Sequence, residues 1–301
     1  MYDLVAFGEI LIDLSFDKEE NKYLQNPGGA PFNVACVLGK YGRNVGFIGK
    51  VGIDEYGKFL KEEMDKNSIN GNGLVFDEKL KTTLAIVSFN ENNDREFEFI
   101  RGADNNLNIN DVNFDLIKNS RIFHFGTLLM TDDKGISVTK YALEEAKKNG
   151  CIISFDPNYR SFLWSEEDFK KAVDLVIQDV NILKVSLEEG KIISGLDNVI
   201  DIANCLFEKV KDVVIITLAD EGAYYKTKES FGYINGKKQK AVDTTGAGDI
   251  FFGTFLNEYL KEEYNISAAI NKANIAAGLS VLKKGAIPSI PNINELEKID
   301  D

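Results

Sequence analysis

The segment Asp243-Thr244-Thr245-Gly246-Ala247-Gly248-Asp249 carries the densest chemical signal in the chain, and a helical run over 250–259 follows it. Gly246 and Gly248 let the backbone turn tightly and approach a ligand closely. The helix that begins there aims several unpaired N–H groups and the positive end of its dipole at one spot. Such a spot suits a phosphoryl group in transfer. Asp249 falls in the first helical turn, where the dipole favours its ionised form. An ionised carboxylate there can take the proton of an attacking hydroxyl. A helix start made of Asp and Gly is common and can be purely structural. Two Asp flanking Thr-Thr-Gly-Ala-Gly is far more restrictive and points to phosphoryl transfer.

A second constellation lies near the N-terminus. The first strand-like run ends in Gly8-Glu9-Ile10-Leu11-Ile12-Asp13, and a helix opens at Gly28-Gly29-Ala30-Pro31-Phe32-Asn33. Paired glycines admit a ligand against the backbone, while Asp13 and Asn33 offer groups that bind hydroxyls. Taken singly, Gly28-Gly29 also reads as a plain turn and Asp13 as a strand-end residue. Other phosphate motifs are absent: no GxxxxGK[ST] occurs, and no GxGxxG follows the first strand.

Composition removes whole classes of function. The formal charge of −13 repels phosphate backbones and anionic lipid, which sets nucleic acid and membranes aside as partners. The single histidine, His124, rules out a multi-His zinc site and would have to serve any Ser-His-Asp triad. It sits in the apolar run Ile122-Phe123-His124-Phe125-Gly126 and reads as a core histidine, with a pocket wall as the alternative. Cys36, Cys151 and Cys205 are scattered and form no CxxC, so neither disulfides nor thiolate metal sites are expected. Met1 is followed by Tyr-Asp-Leu-Val-Ala-Phe without a basic leader, and no apolar run approaches the roughly 18 residues of a membrane span. The expectation is a soluble, cytoplasmic protein.

The elements that must position these residues alternate. Short β-branched runs over 3–7, 45–51, 121–125, 151–155, 180–185 and 213–217 read as buried strands. Helical patterns over 32–40, 55–66, 134–149, 166–178 and 199–211 lie between them, and two more over 247–261 and 266–282 close the chain. That order predicts an α/β fold, a three-layer α/β/α core around a mostly parallel sheet. Phe251, Phe252 and Phe255 have core spacing, and Asp54 reads as a helix N-cap. Two segments break the alternation. Residues 14–27 are polar without core periodicity, and 82–101 reads as two strands, 84–89 and 96–100, joined by Asn90-Glu91-Asn92-Asn93-Asp94. This hairpin reads as a small β lid, with an antiparallel extension of the main sheet as the alternative. No repeat or linker interrupts the chain, so 1–301 reads as one domain with lid segments about 14–27 and 82–104.

These segments together resemble the PfkB/ribokinase-type carbohydrate kinase family, most closely its bacterial fructokinases. Gly28-Gly29-Ala30-Pro31-Phe32-Asn33-Val34-Ala35 is similar to the family's N-terminal signature and 243–249 to its C-terminal one. Val51-Gly52-Ile53-Asp54-Glu55-Tyr56-Gly57, Asp156-Pro157-Asn158-Tyr159-Arg160 and Lys283-Lys284-Gly285-Ala286 match in order between and after them. The resemblance runs from Gly8 to about Pro291 and implies a ribokinase-like fold. It implies Asp249 as catalytic base, with Gly246, Ala247 and Gly248 as the anion hole. Sugar hydroxyls would meet Asp13, Gly28, Gly29 and Asn33. Arg101-Gly102-Ala103-Asp104 matches the end of the lid hairpin in fructokinase-like members, which brings Arg101 and Asp104 to the sugar, and Arg160 would face sugar or phosphate. ATP would lie along Thr217 to Gly222 and Asn274. A monovalent cation, usually potassium, would sit against Asp243, Thr245, Ser280, Lys283, Gly285 and Ser289.

One departure from the family pattern concerns magnesium. The family's Asn-x-x-Glu appears as Ser186-Leu187-Glu188-Glu189, so Glu189 keeps the carboxylate that would organise Mg2+ through water while Ser186 replaces the amide. Ser186-x-x-Glu189 is also a capping box, a structural reading. Lys184, just upstream, either reaches ATP phosphates or is an exposed strand-end lysine. Ala219 stands where the family often has glycine. The implied activity is ATP-dependent phosphorylation of a keto-sugar's primary hydroxyl, D-fructose first. 2-Keto-3-deoxygluconate, aminoimidazole riboside and ribose are the alternative substrates. A non-catalytic sugar-sensing protein is the alternative class. Partners are then the sugar and ATP, with pairing of two copies through the lid as the assembly the lid permits.

Overall fold

The structure is a computed structural model that describes residues 1–17, 20–89 and 95–297. Thirteen strands follow one another along them: β1 (Tyr2–Phe7), β2 (Leu11–Asp17), β3 (Lys22–Gly28), β4 (Val45–Gly52), β5 (Ile69–Asp77), β6 (Leu84–Phe89), β7 (Arg95–Ile100), β8 (Ser120–Phe125), β9 (Ile152–Phe155), β10 (Ile182–Ser186), β11 (Val213–Thr217), β12 (Gly222–Lys226) and β13 (Phe231–Asn235). Nine of them form one sheet in the order β13-β12-β11-β10-β9-β8-β1-β4-β5. Pairing from β5 to β11 is parallel, and β12 and β13 add an antiparallel margin. Every position of β4 is buried, as expected for a parallel strand covered on both faces.

Helices cover both faces. On one face Phe32 and Phe47 pack with Phe251, Phe252 and Phe255 of the helix Ala247–Tyr259, so those three aromatics are core. On the other, Phe123, Phe125 and Phe155 pack with Phe169 of the helix Glu166–Asp174. Each such side chain contributes roughly 1.5–3 kcal/mol by burial. His124 is a core residue: its Nδ1 lies 3.1 Å from Ser154 Oγ, and burial pushes its pKa down to about 3, so it is neutral. Asp54 caps the helix Glu55–Lys66 by accepting from the Gly57 N–H at 2.9 Å.

The remaining four strands leave the main sheet and form their own, in the order β3-β2-β6-β7. The β2–β3 and β6–β7 pairs are antiparallel, while β2 and β6 pair parallel, Ile12 opposite Leu84. This sheet is therefore separate from the main one, and not an extension of its edge. It rests on a small apolar cluster of Leu11, Ala85 and Leu128 with Phe99 and Leu163. The turn at 90–94 expected from the sequence lies outside the described residues. The segment 14–27 lacks an apolar period because β2 and β3 carry polar groups such as Ser15 and Asn26 on the face turned to a cavity. Strand β5 is absent from the sequence reading because Asn70-Gly71-Asn72-Gly73 has turn composition. At Gly73 a side chain would meet the Phe47 carbonyl and Leu116, so only glycine lets the strand lie there.

Candidate active site

A cavity of about 800 Å3 opens between the four-stranded sheet and the carboxyl ends of the main-sheet strands. That is where open α/β sheets bind ligands. Asn26, Asp13, Ala85 and Phe99 stand opposite one another in a row across β3, β2, β6 and β7 and line its upper wall. Gly126, Thr127, Asn158, Arg160 and Phe162 line the facing wall, where the Phe162 ring lies 5.6 Å from that of Phe99. Gly29, Asn33, Gly246 and Asp249 meet at the floor.

The floor depends on two glycines. Gly246 is the N-cap of the helix Ala247–Tyr259 at φ 76, and no side chain caps that helix. An added Cβ there would collide with Ala286, so the sharp turn admits only glycine. Gly29, at φ 107, is the N-cap of the helix Ala30–Lys40, and its added Cβ would strike the Glu9 carbonyl. The two helix starts converge: Asn33 Nδ2 donates to Asp249 Oδ2 at 2.8 Å. Burial raises the Asp249 pKa, while the Asn33 hydrogen bond and the charges of Lys184 and Arg160 work to lower it. Desolvation is the larger influence, so the net shift is upward although the residue stands at a helix start.

Asp13 lies beneath Gly28, where an added Cβ would strike its carboxylate. Burial pushes its pKa up to about 7, with Arg160 opposing and Asp249 and Asp243 reinforcing. Arg101 and Asp104, expected at the sugar, lie outside the cavity lining. Arg101 Nη2 is 3.1 Å from Asp104 Oδ2, and the guanidinium also donates to Asn105 Oδ1 at 2.9 Å and the Leu128 carbonyl at 3.2 Å. Asp104 also accepts from Thr83 Oγ1, whose oxygen in turn accepts the Gly102 N–H at 2.7 Å. The pair thus clips the two ends of the β6–β7 excursion together, and Arg160 is the arginine on the cavity wall.

Lys184 is buried, not exposed, and its Nζ donates to Asp156 Oδ2 at 2.8 Å. Its ammonium lies beneath the Gly246–Asp249 turn, 3.1 Å from where a Cβ on Gly248 would stand. Burial pushes Asp156 up to about 7, whereas Asp156 and Glu189 hold Lys184 above its ordinary value despite burial. At 2.8 Å the ion pair is the better description, because the shared contact offsets desolvation of both groups. The Ser186 capping box is present, with Glu189 Oε2 accepting the Ser186 N–H and Oε1 the Tyr159 N–H, both at 2.7 Å. Glu189 thereby braces the Asp156–Arg160 loop against the start of the helix Leu187–Ser194.

Thr217, Gly222 and Asn274 lie outside the cavity lining, on the side of β11 to β13. Asn274 Nδ2 donates to the Ile234 carbonyl at 3.1 Å, and Thr217 Oγ1 donates to the Val185 carbonyl at 3.4 Å. Ala219 adopts φ 53, the left-handed region, at a cost of roughly 1–2 kcal/mol relative to a glycine that enters it freely. The cation candidates gather on two adjoining loops. Asp243 accepts from the Thr245 N–H at 3.0 Å and the Gly285 N–H at 2.8 Å, and the Val242 N–H donates to the Val281 carbonyl at 2.7 Å. Ser280 and Ser289 turn their hydroxyls back to the Ala277 and Ala286 carbonyls at 2.8 and 2.7 Å. Lys283 N–H donates to the Ser280 carbonyl at 3.1 Å. Among the described residues no group of three His, Cys, Asp or Glu side chains stands close enough to cage a metal. Asp243 and the backbone carbonyls of these two loops are the oxygen groups at hand.

Sequence reasoning gave no role to Glu9, Ser15, Asn26, Glu98, Phe99 or Thr127, all of which line the cavity. Strand register alone would place Ser15 and Asn26 with Asp13. Nothing local marks Glu9.

The pfkB family carbohydrate kinase model matches residues 1–293. A probable fructokinase-5 of Arabidopsis thaliana is 36% identical over 98% of this chain and 96% of its own length. Among solved structures, fructokinase from Vibrio cholerae O395, in a fructose-, ADP- and calcium-bound form, superposes with a TM-score of 0.89 at 28% identity, covering 99% of this chain and 98% of that one. Aminoimidazole riboside kinase from Salmonella enterica, bound to aminoimidazole riboside and an ATP analogue, gives 0.85 at 27% identity over 99% of each. A glycine-built helix start facing a buried aspartate beneath a separate small sheet, on a chain matched nearly end to end, places the protein in the pfkB family of carbohydrate kinases.

Proposed function

We propose that the protein transfers the γ-phosphoryl group of ATP to the primary hydroxyl of D-fructose, yielding fructose 6-phosphate. The charge of the cavity wall supports a neutral polyol. Asp13, Asp243 and Asp249 line it together with Arg160 and Lys284, while Arg101 is ion-paired with Asp104 away from it. Carboxylates accept hydrogen bonds from sugar hydroxyls and repel a sugar acid. Asp13 and the Gly28-Gly29 backbone hold the sugar, and Arg160 lies at the facing wall. Asp249 takes the proton of the attacking hydroxyl, and the N–H groups of the Gly246–Asp249 turn receive charge developing on the phosphoryl oxygens. Lys184 adds its charge from beneath that turn. ATP, when bound, supplies the phosphoryl group and extends toward Thr217, Gly222 and Asn274. Glu189 would hold Mg2+ through water, and the 243–245 and 280–289 loops would hold potassium. The four-stranded sheet acts as a lid that excludes water, the competing nucleophile.

Arg160 on the wall favours one alternative, a sugar acid such as 2-keto-3-deoxygluconate, which it could hold bidentately. A coupled ADP-release assay with fructose, ketodeoxygluconate, ribose and aminoimidazole riboside side by side separates the readings. The expected order puts fructose first in kcat/KM by about tenfold or more, the discrimination of a hydroxyl-binding site. A preference for the sugar acid that Arg160→Ala abolishes would transfer the assignment. No ADP release with any sugar would favour a sugar-sensing protein.

A further inference from the structure

We infer that Glu9 is a positioning residue for proton abstraction, acting through Ala30 and Asn33 on Asp249. The inference rests on the reading of Asp249 as base. Glu9 stands where the chain leaves β1 for the four-stranded sheet, and it is 4% exposed. Its Oε1 accepts the Ala30 N–H at 2.9 Å. Ala30 is the first residue of the helix Ala30–Lys40, whose N-cap is a glycine without a side chain and whose second residue is a proline without an N–H. The carboxyl that seats this helix start therefore comes from a different part of the chain. The Asn33 N–H closes the first turn on the Gly29 carbonyl at 2.8 Å. Asn33 lies three residues beyond Ala30, hence on the same helical face, and its amide reaches Asp249. A shift at Ala30 thus passes directly into the Asn33–Asp249 hydrogen bond, which weakens steeply with misalignment.

Two observations set Glu9 apart from a surface cap. Its second oxygen is buried with no hydrogen-bond partner among the described residues. Burial pushes its pKa up to about 8, with the Ala30 N–H and Arg101 opposing and Asp104 reinforcing. The neutral acid is then well populated near neutral pH, and glutamine mimics it, because its carbonyl oxygen can still accept from Ala30. Alanine cannot.

The test is the pH profile of kcat for the full chain with fructose and ATP, in E9A, E9Q and, in parallel, D249N. E9A is expected to lose about tenfold to a hundredfold in kcat with the KM for ATP little changed. Its acid limb should move to higher pH, because the Asn33 hydrogen bond favours ionised Asp249 and its loss favours the protonated form. E9Q should recover most of the rate and return the limb to its native position. If E9A does not fold, E9D, one methylene shorter, carries the same comparison. An unmoved acid limb in E9A, or in E9D used in its place, overturns the inference, as does an E9Q enzyme as impaired as E9A. A D249N enzyme that keeps its turnover removes the base assignment itself. A dead D249N beside an E9A with the native limb removes only the role of Glu9.

Discussion

Asp249→Asn is expected to lower kcat by about 10²–10⁴-fold, the usual contribution of a general base, while ATP affinity survives. The replacement is nearly isosteric, and an amide oxygen can still accept the Asn33 Nδ2 hydrogen bond seen at 2.8 Å. What disappears is the capacity to take a proton. Calorimetric titration with ATP beside the turnover assay separates the two, and more than a tenth of native turnover would remove Asp249 from the role. The pH dependence has a definite sign. Burial raises the Asp249 pKa, so activity should fall away on the acid side at a pH above the ordinary aspartate range. The same shift means the folded state binds this proton more tightly than the unfolded chain. Ionised Asp249 therefore costs stability as pH rises past the ordinary carboxylate value. D249N should then be at least as heat-resistant as the native protein at pH 8, and a lower Tm would contradict that reasoning.

Lys184→Met should strongly destabilise the fold. Side-chain exposures of 8% for Lys184 and 3% for Asp156 make their contact a buried ion pair. Removing one partner strands a buried carboxylate, at about 3–5 kcal/mol. With about 2.1 cal/mol/K of unfolding entropy per residue, that lowers Tm by roughly 5–8 °C in a chain of this size. The deficit should shrink as pH falls, because Asp156 escapes by taking a proton. Turnover should fall for a separate reason. Lys184 lies under Gly248 and lowers the Asp249 pKa, so its loss weakens the anion turn and shifts the acid limb upward. The double variant K184M/D156N distinguishes the two effects. Stability should return when both charges are gone, and the rate should not. A double variant that recovers both would reduce Lys184 to a structural residue.

The Gly246–Asp249 turn and the paired-glycine turn are legible because each packs its distinctive residues into a few consecutive positions. Gly246 and Asp249 lie on one helix start, and Gly29 and Asn33 on another. The layering is legible because buried parallel strands such as β4 are apolar throughout. What fails to show is pairing over distance. Arg101-Gly102-Ala103-Asp104 looks like a site motif, yet its two charges pair with each other and take Thr83 and Asn105 as further partners outside the cavity lining. Glu9 is a lone carboxylate until Ala30 folds against it. Lys184 falls near the end of the run 180–185, where lysine reads as solvated, yet it is the middle residue of β10 and its charge is paired by Asp156 on the neighbouring loop. β5 is hidden because asparagine and glycine describe a turn as well as they describe a crowded edge strand.

The parallel contact between β2 and β6 has a consequence for how chain length can vary here. Strands joined by a hairpin take their register from the turn, but β2 and β6 belong to two separate excursions. Their alignment is set by where each excursion leaves the main body, at the Glu9–Ala30 contact and at the Thr83–Asp104 clip. One residue added at either crossing would slide a strand by one position and turn Asp13, Ser15 and Asn26, or Ala85 and Phe99, from the cavity to the opposite face. Residues added beyond Asp17 or Phe89 leave both crossings untouched. Insertions and deletions are thus compatible with this site at the far ends of the excursions and incompatible with it at their roots.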